Sequence, residues 1–361
     1  MPQRPVSIAD IARAAGVSHP TVSRALRDSP LISADVRTRI QILAQEMGYT
    51  PNSLAQSLQT RRSHTLGLVV TSIADPFFTD VMKGVEEVAR PARFSVFLSA
   101  TYNDSEQEVA VIETFQRRRV DGILVASLRI SSNSEERLSR IKVPTVLINN
   151  EANSGGQVLH WVMVDDHLGA RLATEHLLQL GHRAIGYLGV PNRPRSNRQR
   201  LEGYRSALAA VGPAGPAGWI ALPPPPGAPE GEGARLADVA VGQALLPQLL
   251  AARVTAIFCF NDMVAVGALM ACRARGIVVP RDLSIVGFDD IELAPYMTPP
   301  LTTVHQPRVQ LGNLATQMLL DLLDGYPVQN QILLPALVAR SSTAPPRAEF
   351  TTQISSEEGT R

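Results

Sequence analysis

Three polar residues directly follow short apolar runs that have the composition of buried strands. Asn149, Asn261 and Asp289 each stand immediately after the last apolar residue of such a run. An amide can donate and accept hydrogen bonds and a carboxylate accepts them, so these side chains could hold the hydroxyl groups of a small molecule. Ligands of parallel α/β proteins bind beyond the carboxyl ends of the strands, and this spacing therefore predicts a ligand site.

Two aromatic residues follow the first apolar run in the same region of the predicted site. Phe77 and Phe78 come a few residues after Val70 and could stack on the apolar face of a ligand. Other roles are compatible with the same sequence, because Asp289 could cap a helix and Phe77 could belong to the hydrophobic core.

A second set of polar residues lies near the start of the chain. Ser18, Thr21 and Ser23 carry hydroxyl groups, and Arg24 carries a guanidinium. Hydroxyl groups often bind DNA phosphates, which position a protein without specifying a sequence. An arginine can donate two hydrogen bonds to one guanine, so Arg24 is a candidate for base recognition. The alternative for Thr21 is a capping role only.

The segment from Ile8 to Leu26 supplies the elements that would position these polar residues. Ser7 and Ser18 can each cap a helix, and Gly16 stands where the first helix must end. Two short helices joined by such a turn form the helix-turn-helix unit, which places its second helix in the major groove. Two amphipathic helices of an unrelated small bundle are the alternative. The apolar face of the first helix consists of Ile8, Ile11, Ala12 and Ala15.

The charge distribution favours a nucleic acid as the partner of this first segment. The whole chain has a formal net charge of +1, whereas residues 1–62 contain eight arginines, no lysine and four acidic residues, a net charge of +4. A small basic domain attached to a larger, nearly neutral one is typical of a DNA reader joined to a sensor.

The remainder of the first segment predicts a third helix and a connection. The third helix is predicted from Ala34 to Met47, with Ser33 as its cap, and the run from Gly48 to Pro51 ends it. The segment from Ser53 to Leu58 predicts a helix of less than two turns, which would be marginal on its own in water. The polar stretch from Gln59 to His64 predicts a linker.

From Leu66 onward, short apolar runs alternate with longer helical segments, as in parallel sheets with crossover helices. The alternation continues through two halves and predicts an α/β core of two doubly wound parallel-sheet subdomains, with a ligand between them. Gly212 to Gly233 is rich in proline and glycine and predicts a surface loop. The predicted strands are 66–70, 95–98, 122–126, 145–148, 184–188, 256–260 and 284–288. The predicted helices are 81–89, 106–119, 135–141, 168–180, 198–210, 239–252 and 263–275.

The sequence gives little support for a disulfide-rich, membrane, metal-binding or phosphate-binding protein. Cys259 and Cys272 do not form the pattern of a disulfide framework. The chain shows neither a leader peptide nor a membrane-length apolar stretch, so we expect a soluble, cytoplasmic protein. The histidines lack metal-ligand spacing, and no glycine-rich phosphate loop follows a strand. The sequence therefore predicts no metal, no cofactor and no catalytic residues.

Taken in order, several motifs between Ser7 and about Pro346 resemble the LacI/GalR family of bacterial transcriptional regulators. They are Val17-Ser18, Thr21 to Leu26, Gly48 to Asn52, Ala55 to Leu58, Val120 to Ile123, Leu180 to Arg183, Phe260 to Met263, Ser284 to Asp290 and Pro300 to Pro307. The resemblance implies a small all-α helix-turn-helix head, a hinge helix and a core like the periplasmic sugar-binding proteins. The implied domains are 1–50 for the helix-turn-helix, 51–64 for the hinge helix and linker, 65–346 for the effector-binding and dimerisation core, and 347–361 for a polar tail.

The resemblance also implies which residues contact DNA. His19, Pro20 and Arg24 match the base-contacting positions of the family. Pro20 departs from the polar residue often found there and offers only apolar contact. Leu58 matches the hinge leucine that wedges between base pairs in the minor groove, with Ala55 lying against the groove floor.

Asn52 is a further DNA contact implied by the resemblance, at the end of its motif. An ordinary amphipathic pair, with Leu54 and Leu58 packed on the core, is the alternative to the wedge. The polar flanks of the segment contain few apolar partners for such packing, and we therefore favour the wedge.

For the effector, Arg200 matches the family position that clamps sugar hydroxyls, and its planar fork suits paired oxygens. Related proteins often carry Asp where this chain has Asn149. With Asn261 and Asp289, these residues resemble the sugar-responsive members more than the purine-responsive ones. The run Asp165 to His167 could suggest catalysis, but in the family it begins a helix, where aspartate caps.

The sequence as a whole predicts a homodimeric repressor that binds a pseudo-palindromic operator, and whose operator affinity is controlled by a small ligand, expected to be a sugar or sugar derivative, bound between the two core subdomains. The sequence leaves open whether the ligand releases or promotes operator binding. No membrane partner is expected. A sugar-transport receptor fits the core alone but not the DNA-reading head. An α/β enzyme fits the fold, but the sequence offers no nucleophile, acid–base pair or phosphate loop.

Overall fold

The computed structural model describes residues 6–49, 62–102, 104–126, 142–150, 153–154, 157–190, 193–212, 219–223 and 238–347. The chain divides into two compact units, residues 1–63 and residues 64–361. We call the first unit the head and the second the core. The segment predicted as a hinge helix and the helix predicted from Glu135 to Ile141 lie outside the described residues.

The head contains the three helices α1 (Ile8–Ala15), α2 (His19–Ala25) and α3 (Ala34–Glu46). At the start of α1, the Ser7 hydroxyl accepts a hydrogen bond from the backbone N–H of Asp10 at 3.3 Å. In return, the Asp10 carboxylate accepts one from the backbone N–H of Ser7 at 3.0 Å, so both donors are satisfied. Gly16 then ends α1 with a φ of 67°, a left-handed conformation that glycine adopts without strain.

The second and third helices of the head differ in how they begin. The Ser18 hydroxyl accepts a hydrogen bond from the backbone N–H of Thr21 at 3.3 Å, which confirms the predicted cap of α2. Ser33 occupies the corresponding position before α3 but makes no side-chain capping bond, so its predicted capping role is wrong. The three helices are held together by a small apolar core that includes the fully buried Ile11, Val22 and Ile40.

The first sheet of the core has six parallel strands. In spatial order they are β13 (Gln331–Leu333), β7 (His160–Val164), β4 (Thr145–Ile148), β3 (Gly122–Val125), β1 (Thr65–Val70) and β2 (Ser95–Ala100). A short antiparallel pair, β5 (Asn153–Ser154) and β6 (Gln157–Val158), lies between β4 and β7 in the chain. This sheet and the helices packed on it form the first subdomain.

The second sheet of the core has four parallel strands, in the order β11 (Ser284–Val286), β10 (Ala256–Cys259), β8 (Ile185–Leu188) and β9 (Ile220–Ala221). Two further strands, β12 (Thr303–His305) and β14 (Ala336–Val338), pair with each other antiparallel. Together with their helices these strands form the second subdomain.

Helices cover both faces of each sheet, which makes both subdomains doubly wound, as predicted. The helices of the core are α4 (Pro76–Ala89), α5 (Ser105–Arg117), α6 (Asp166–Gln179), α7 (Pro194–Ala209), α8 (Asp238–Ala251), α9 (Asp262–Ala274) and α10 (Arg308–Leu323). In the first subdomain α4 and α10 pack on one face and α5 on the other. In the second, α8 and α9 pack on one face and α6 and α7 on the other. No helix in the described ranges is long and apolar enough to span a membrane.

The structure extends the sequence prediction in several places. α4 begins five residues earlier than predicted, because the Asp75 carboxylate accepts a hydrogen bond from the backbone N–H of Phe77 at 3.0 Å and Pro76 fits the first turn. The strands β12, β13 and β14, of three residues each, were not predicted. β7 and α10 were also missed, although buried Leu311, Ala315 and Leu319 recur in α10 at helical spacing.

Both subdomains contain a pair of helices that approach each other closely through glycine. Gly84 of α4 and Gly312 of α10 face each other, and a Cβ on either would collide with a backbone carbonyl oxygen of the opposite helix. Gly242 of α8 and Gly267 of α9 repeat this arrangement in the second subdomain. The absence of a side chain at these positions lets the two helix backbones touch.

We expect Gly267→Ala to lower the free energy of unfolding by about 1–3 kcal/mol, because the added methyl group forces the two helices apart. The collision would be with the carbonyl oxygen of Val239. Gly212→Ala is a matched control, since a Cβ there meets nothing within 4 Å. Urea unfolding of both variants measures the difference, and an equally small effect for the two would contradict the close approach.

Candidate functional site

The helix α2 of the head presents a polar face to solvent. Val22 and Ala25 are buried against the other head helices, whereas His19, Pro20 and Arg24 are exposed. The structure therefore brings together the three residues predicted to contact bases on one accessible surface. A protruding helix of this kind, with its first turn exposed, has the geometry that enters a major groove.

The hydroxyl groups predicted to contact phosphates are engaged within the head. The hydroxyls of Ser18 and Thr21 are hydrogen-bonded to each other at 2.8 Å. Arg27 Nη2 donates to the Ser23 hydroxyl at 2.6 Å, and this exposed arginine adds a second guanidinium three residues after Arg24. Sequence reasoning missed Arg27, although its spacing from Arg24 was a usable signal. The predicted contacts Asn52, Ala55 and Leu58 lie outside the described residues.

In the core, Arg200 is the most tightly held of the predicted effector residues. It lies in α7 and is 4% exposed. Its Nε donates to Asp166 Oδ1 at 2.8 Å, and its Nη1 donates to the backbone oxygen of Phe260 at 2.5 Å. The guanidinium carbon lies 3.7 Å from the ring centroid of Phe288 and 4.4 Å from that of Phe260. Ionic, hydrogen-bond and cation–π contacts thus fix its orientation.

Asp289 and Asn149 are linked through a residue that sequence reasoning did not identify. Gln306 Nε2 donates to Asp289 Oδ1 at 2.6 Å, and Asn149 Nδ2 donates to Gln306 Oε1 at 3.4 Å. Arg200 Nη1 lies 3.9 Å from Asp289 Oδ1. Asn149 belongs to the first subdomain and Asp289 to the second, so this chain of contacts crosses the cleft between them.

Asn261 stands at the end of β10, as predicted, and both halves of its amide have partners. Its Oδ1 accepts from the backbone N–H of Val264 at 2.9 Å and so caps α9. Its Nδ2 donates to Asp238 Oδ2 at 2.6 Å. Asp238, the first residue of α8, therefore joins the site.

A further ion pair connects the two subdomains at this place. Arg193, just before α7, lies 2.5 Å from Asp75 of the first subdomain and 3.4 Å from Asp238 of the second. Its side chain is 23% exposed. Asp75 and Arg193 follow β1 and β8, so the position after each strand was a signal for them. Sequence reasoning missed Asp75, Asp166, Arg193, Asp238 and Gln306.

The prediction that an aspartate caps the helix beginning at Asp165 to His167 is confirmed. Asp165 Oδ1 accepts from the backbone N–H of Leu168 at 2.8 Å, as expected for the start of a helix. Asp166 turns instead into the core, where it is 2% exposed and faces Arg200. Arg195 Nη1 lies 3.6 Å from the second oxygen of Asp166.

Phe77 and Phe78, predicted to stack on a ligand, lie in the hydrophobic core of the first subdomain. Phe77 and Phe78 are 8% and 4% exposed, and their rings meet edge to face at 5.2 Å. Both belong to the apolar cluster under α4, together with Val81 and Val85. This position corresponds to the core alternative considered for Phe77.

Burial and nearby charges shift the pKa values of two aspartates in the site, Asp289 and Asp262. Burial raises the pKa of Asp289 to about 7, with Asp75 adding to the rise while Arg200, Arg308 and Arg193 oppose it. Burial and the Asp289 carboxylate raise the pKa of the neighbouring Asp262 to about 8. The cleft is thus a crowded polar site that holds buried carboxyl groups beside paired arginines. Such a site can accept hydrogen bonds from hydroxyl groups.

Comparison with known proteins assigns both units to one family. A family model described as bacterial regulatory proteins, lacI family, matches residues 7–52, and a periplasmic binding protein-like domain matches residues 174–343. The HTH-type transcriptional regulator GalS of Salmonella typhimurium is 36% identical over 343 residues, 94% of this chain and 97% of that protein. The ribose operon repressor of Escherichia coli is 34% identical over 338 residues, 92% of this chain and 98% of that protein.

The fold comparison agrees with the sequence comparison. The crystal structure of the lac repressor dimer bound to operator and the anti-inducer ONPF superimposes with a TM-score of 0.81 and 27% sequence identity. The match covers 94% of this chain and 100% of that chain. The relatives are similar along nearly the whole of both units, so head and core share one family assignment.

We expect the free energy of unfolding to fall as pH rises from about 5 to about 9. A raised pKa means that the folded chain holds the protons of Asp289 and Asp262 more tightly than the unfolded chain does. Their contribution is therefore full below the ordinary aspartate pKa and is lost as pH rises through about 7 and about 8. Asp289→Asn carries no titrating proton and should show a shallower fall in denaturant unfolding at a series of pH values.

Asp282→Asn is the control for this measurement. Its hydrogen bond with Arg281 lowers the pKa of the exposed Asp282 to about 2, outside the pH range tested. The control should keep the slope of the unaltered protein, and the same slope in Asp289→Asn would contradict the raised pKa.

Proposed function

Because the chain belongs to the LacI family of bacterial regulatory proteins, and is thus a DNA-binding transcriptional regulator and not an enzyme, we propose that it is a repressor. Its affinity for its operator is set by a sugar or sugar derivative bound between the two subdomains of the core. The observation that carries this proposal is the set of carboxylate, amide and guanidinium groups that meets at the strand ends, centred on Arg200 and Asp289.

On the DNA side, the exposed first turn of α2 reads the operator. Arg24 recognises a guanine through two hydrogen bonds, and His19 contacts a neighbouring base edge. Pro20 supplies an apolar contact, for which the methyl group of thymine is the matching partner. Ser18, Thr21 and Ser23 bind phosphates and fix the orientation of the head.

On the effector side, Arg200, Asn149, Asn261 and Asp289 face a ligand with several hydroxyl groups. Carboxylate and amide oxygens accept from hydroxyls, and the arginine donates to their oxygens. The ribose operon repressor of Escherichia coli is named for a sugar operon, which supports a sugar as the effector class. A ligand changes operator affinity only by its different affinity for the two arrangements of the subdomains.

We propose a homodimer as the DNA-binding form. The lac repressor in the structural comparison binds its operator as a dimer. In this chain the edge strand β2 exposes 46% of Phe97 and 41% of Leu98, and in the second subdomain 51% of Met270 is exposed. A second copy would cover these apolar side chains and would place two heads on the two halves of a pseudo-palindrome. As a reader of chromosomal DNA, the dimer would act in the cytoplasm.

We expect Arg24→Ala to reduce the preference for operator over unrelated DNA by about 1–3 kcal/mol, since it removes the base contact. Arg13→Ala is the matched control, because it removes the same charge from α1, where the side chain is 81% exposed. The control should weaken binding to both DNAs by the same factor. Fluorescence anisotropy with operator and scrambled duplexes measures both, and equal losses in Arg24→Ala would contradict its role as a base reader.

We expect Arg200→Lys to keep operator binding but to raise the sugar concentration needed for release at least about tenfold. Lysine keeps a positive charge beside Asp166 but lacks the planar fork of arginine. Arg171→Lys is the control, since Arg171 makes an ordinary ion pair with Glu175 on the surface of α6. Operator release is followed by anisotropy with the sugar that most raises the melting temperature. An unchanged response in Arg200→Lys would exclude Arg200 from the effector site.

A further inference from the structure

Three charged residues form a clasp at the cleft between the subdomains. Asp75 and Arg193 meet at 2.5 Å across the cleft, and Asp238 approaches the same guanidinium at 3.4 Å. The clasp consists of these three residues. The side chains of Asp75 and Asp238 are only 10% and 13% exposed, so they are held in place and not spread into solvent. Arg193 therefore has two anionic partners before any ligand enters.

The other arginines of the cleft are also matched with carboxylates. Arg200 and Arg195 both approach Asp166, at 2.8 Å and 3.6 Å. Arg308 Nη2 lies 2.6 Å from Asp80. Among the described residues, four arginines thus face four carboxylates in these pairs, and Asp289 adds a fifth carboxylate beside them. Burial, more than any nearby charge, raises the pKa of Asp289, so this buried carboxyl offers no additional positive partner to an anion.

Two helix ends at the cleft, those of α4 and α9, are occupied by side chains of the chain itself. A helix N-terminus attracts anions, and many proteins bind phosphate there. Here Asp75 caps α4 through the backbone N–H of Phe77 at 3.0 Å, and Asn261 caps α9. Asp238 stands in the first turn of α8. A phosphate or carboxylate ligand would find these positions already filled by oxygen atoms.

From these contacts we propose that the clasp makes the effector site selective for uncharged polyhydroxyl ligands over their phosphorylated or carboxylated counterparts. The inference rests on the proposed effector function of the cleft. Neutral hydroxyl groups donate to the carboxylates and leave the ion pairs intact, whereas an anion must displace Asp75 or Asp238 from Arg193 or break another of these ion pairs. Arg193 acts in this scheme as a specificity-determining residue whose charge is masked by Asp75 and Asp238.

The test compares neutral sugars with their anionic counterparts in the full-length protein. The probes are D-ribose and D-ribose 5-phosphate, D-glucose and D-glucose 6-phosphate, and D-galactose and D-galactonate. Titration calorimetry gives the affinity of each probe, and operator anisotropy shows that every variant remains folded and binds DNA. In the unaltered protein we expect the best neutral probe to bind at least about tenfold more tightly than its anionic counterpart, and no anionic probe to exceed it.

The double variant Asp75→Asn with Asp238→Asn unmasks Arg193. Asparagine caps helices about as well as aspartate, so the start of α4 is preserved. We expect the preference for the neutral member of the binding pair to fall at least about tenfold. Adding Arg193→Gln should abolish this gain of anion binding. Glu86→Gln is the control for removal of a carboxylate, since it breaks only an exposed ion pair with Arg90, and should leave the preference unchanged.

Two results would overturn the inference and leave the proposed effector function standing. They are tighter binding of an anionic probe by the unaltered protein, and an unchanged preference in the double variant. If no neutral or anionic probe binds any variant while operator binding persists, the sugar-effector function fails and the inference fails with it. The two failures are therefore distinguishable.

Discussion

The buried ion pair between Arg200 and Asp166 is the interaction on which the proposed effector site depends. It joins α7 to α6 at 2.8 Å, and the two aromatic rings over the guanidinium belong to Phe260 and Phe288, which follow β10 and β11. Loss of one partner from a buried pair leaves an uncompensated charge and commonly destabilises a protein by about 3–5 kcal/mol. Four elements of the second subdomain meet at this pair. The pair therefore helps to hold Asp289 and Phe260 in place.

Asn149, Gln306 and Asp289 extend this centre across to the first subdomain. The link is made of uncharged amides and one carboxylate, with distances of 3.4 Å and 2.6 Å. Arg193 and Asp75 provide a parallel, ionic link. Both links run between side chains that a ligand could also contact. A ligand that replaces one of these hydrogen bonds therefore changes the contact between the subdomains as it binds. Its affinity and the arrangement of the subdomains are coupled for this reason.

Much of the fold and part of the site could be predicted from the sequence. The apolar runs located strands because buried parallel strands are continuous in hydrophobicity, and the position after each strand identified Asn149, Asn261 and Asp289. Asp166 and Asp238 were missed because an aspartate at the start of a helix reads as a cap, and only the three-dimensional packing turns these two towards other partners. Gln306 was missed because its role depends on Asp289, which lies 17 residues earlier in the chain. Pairing over such separations leaves no periodic signal.

The glycine crossings in the two subdomains have a mechanical consequence. With backbone against backbone at Gly84 and Gly312, and again at Gly242 and Gly267, any side chain larger than hydrogen would separate the two helices. Within the described residues, the chain passes between the subdomains from β7 to α6, from β12 to α10 and from β13 to β14. Closely packed layers resist internal deformation, so we expect relative motion of the subdomains to bend these three connections first.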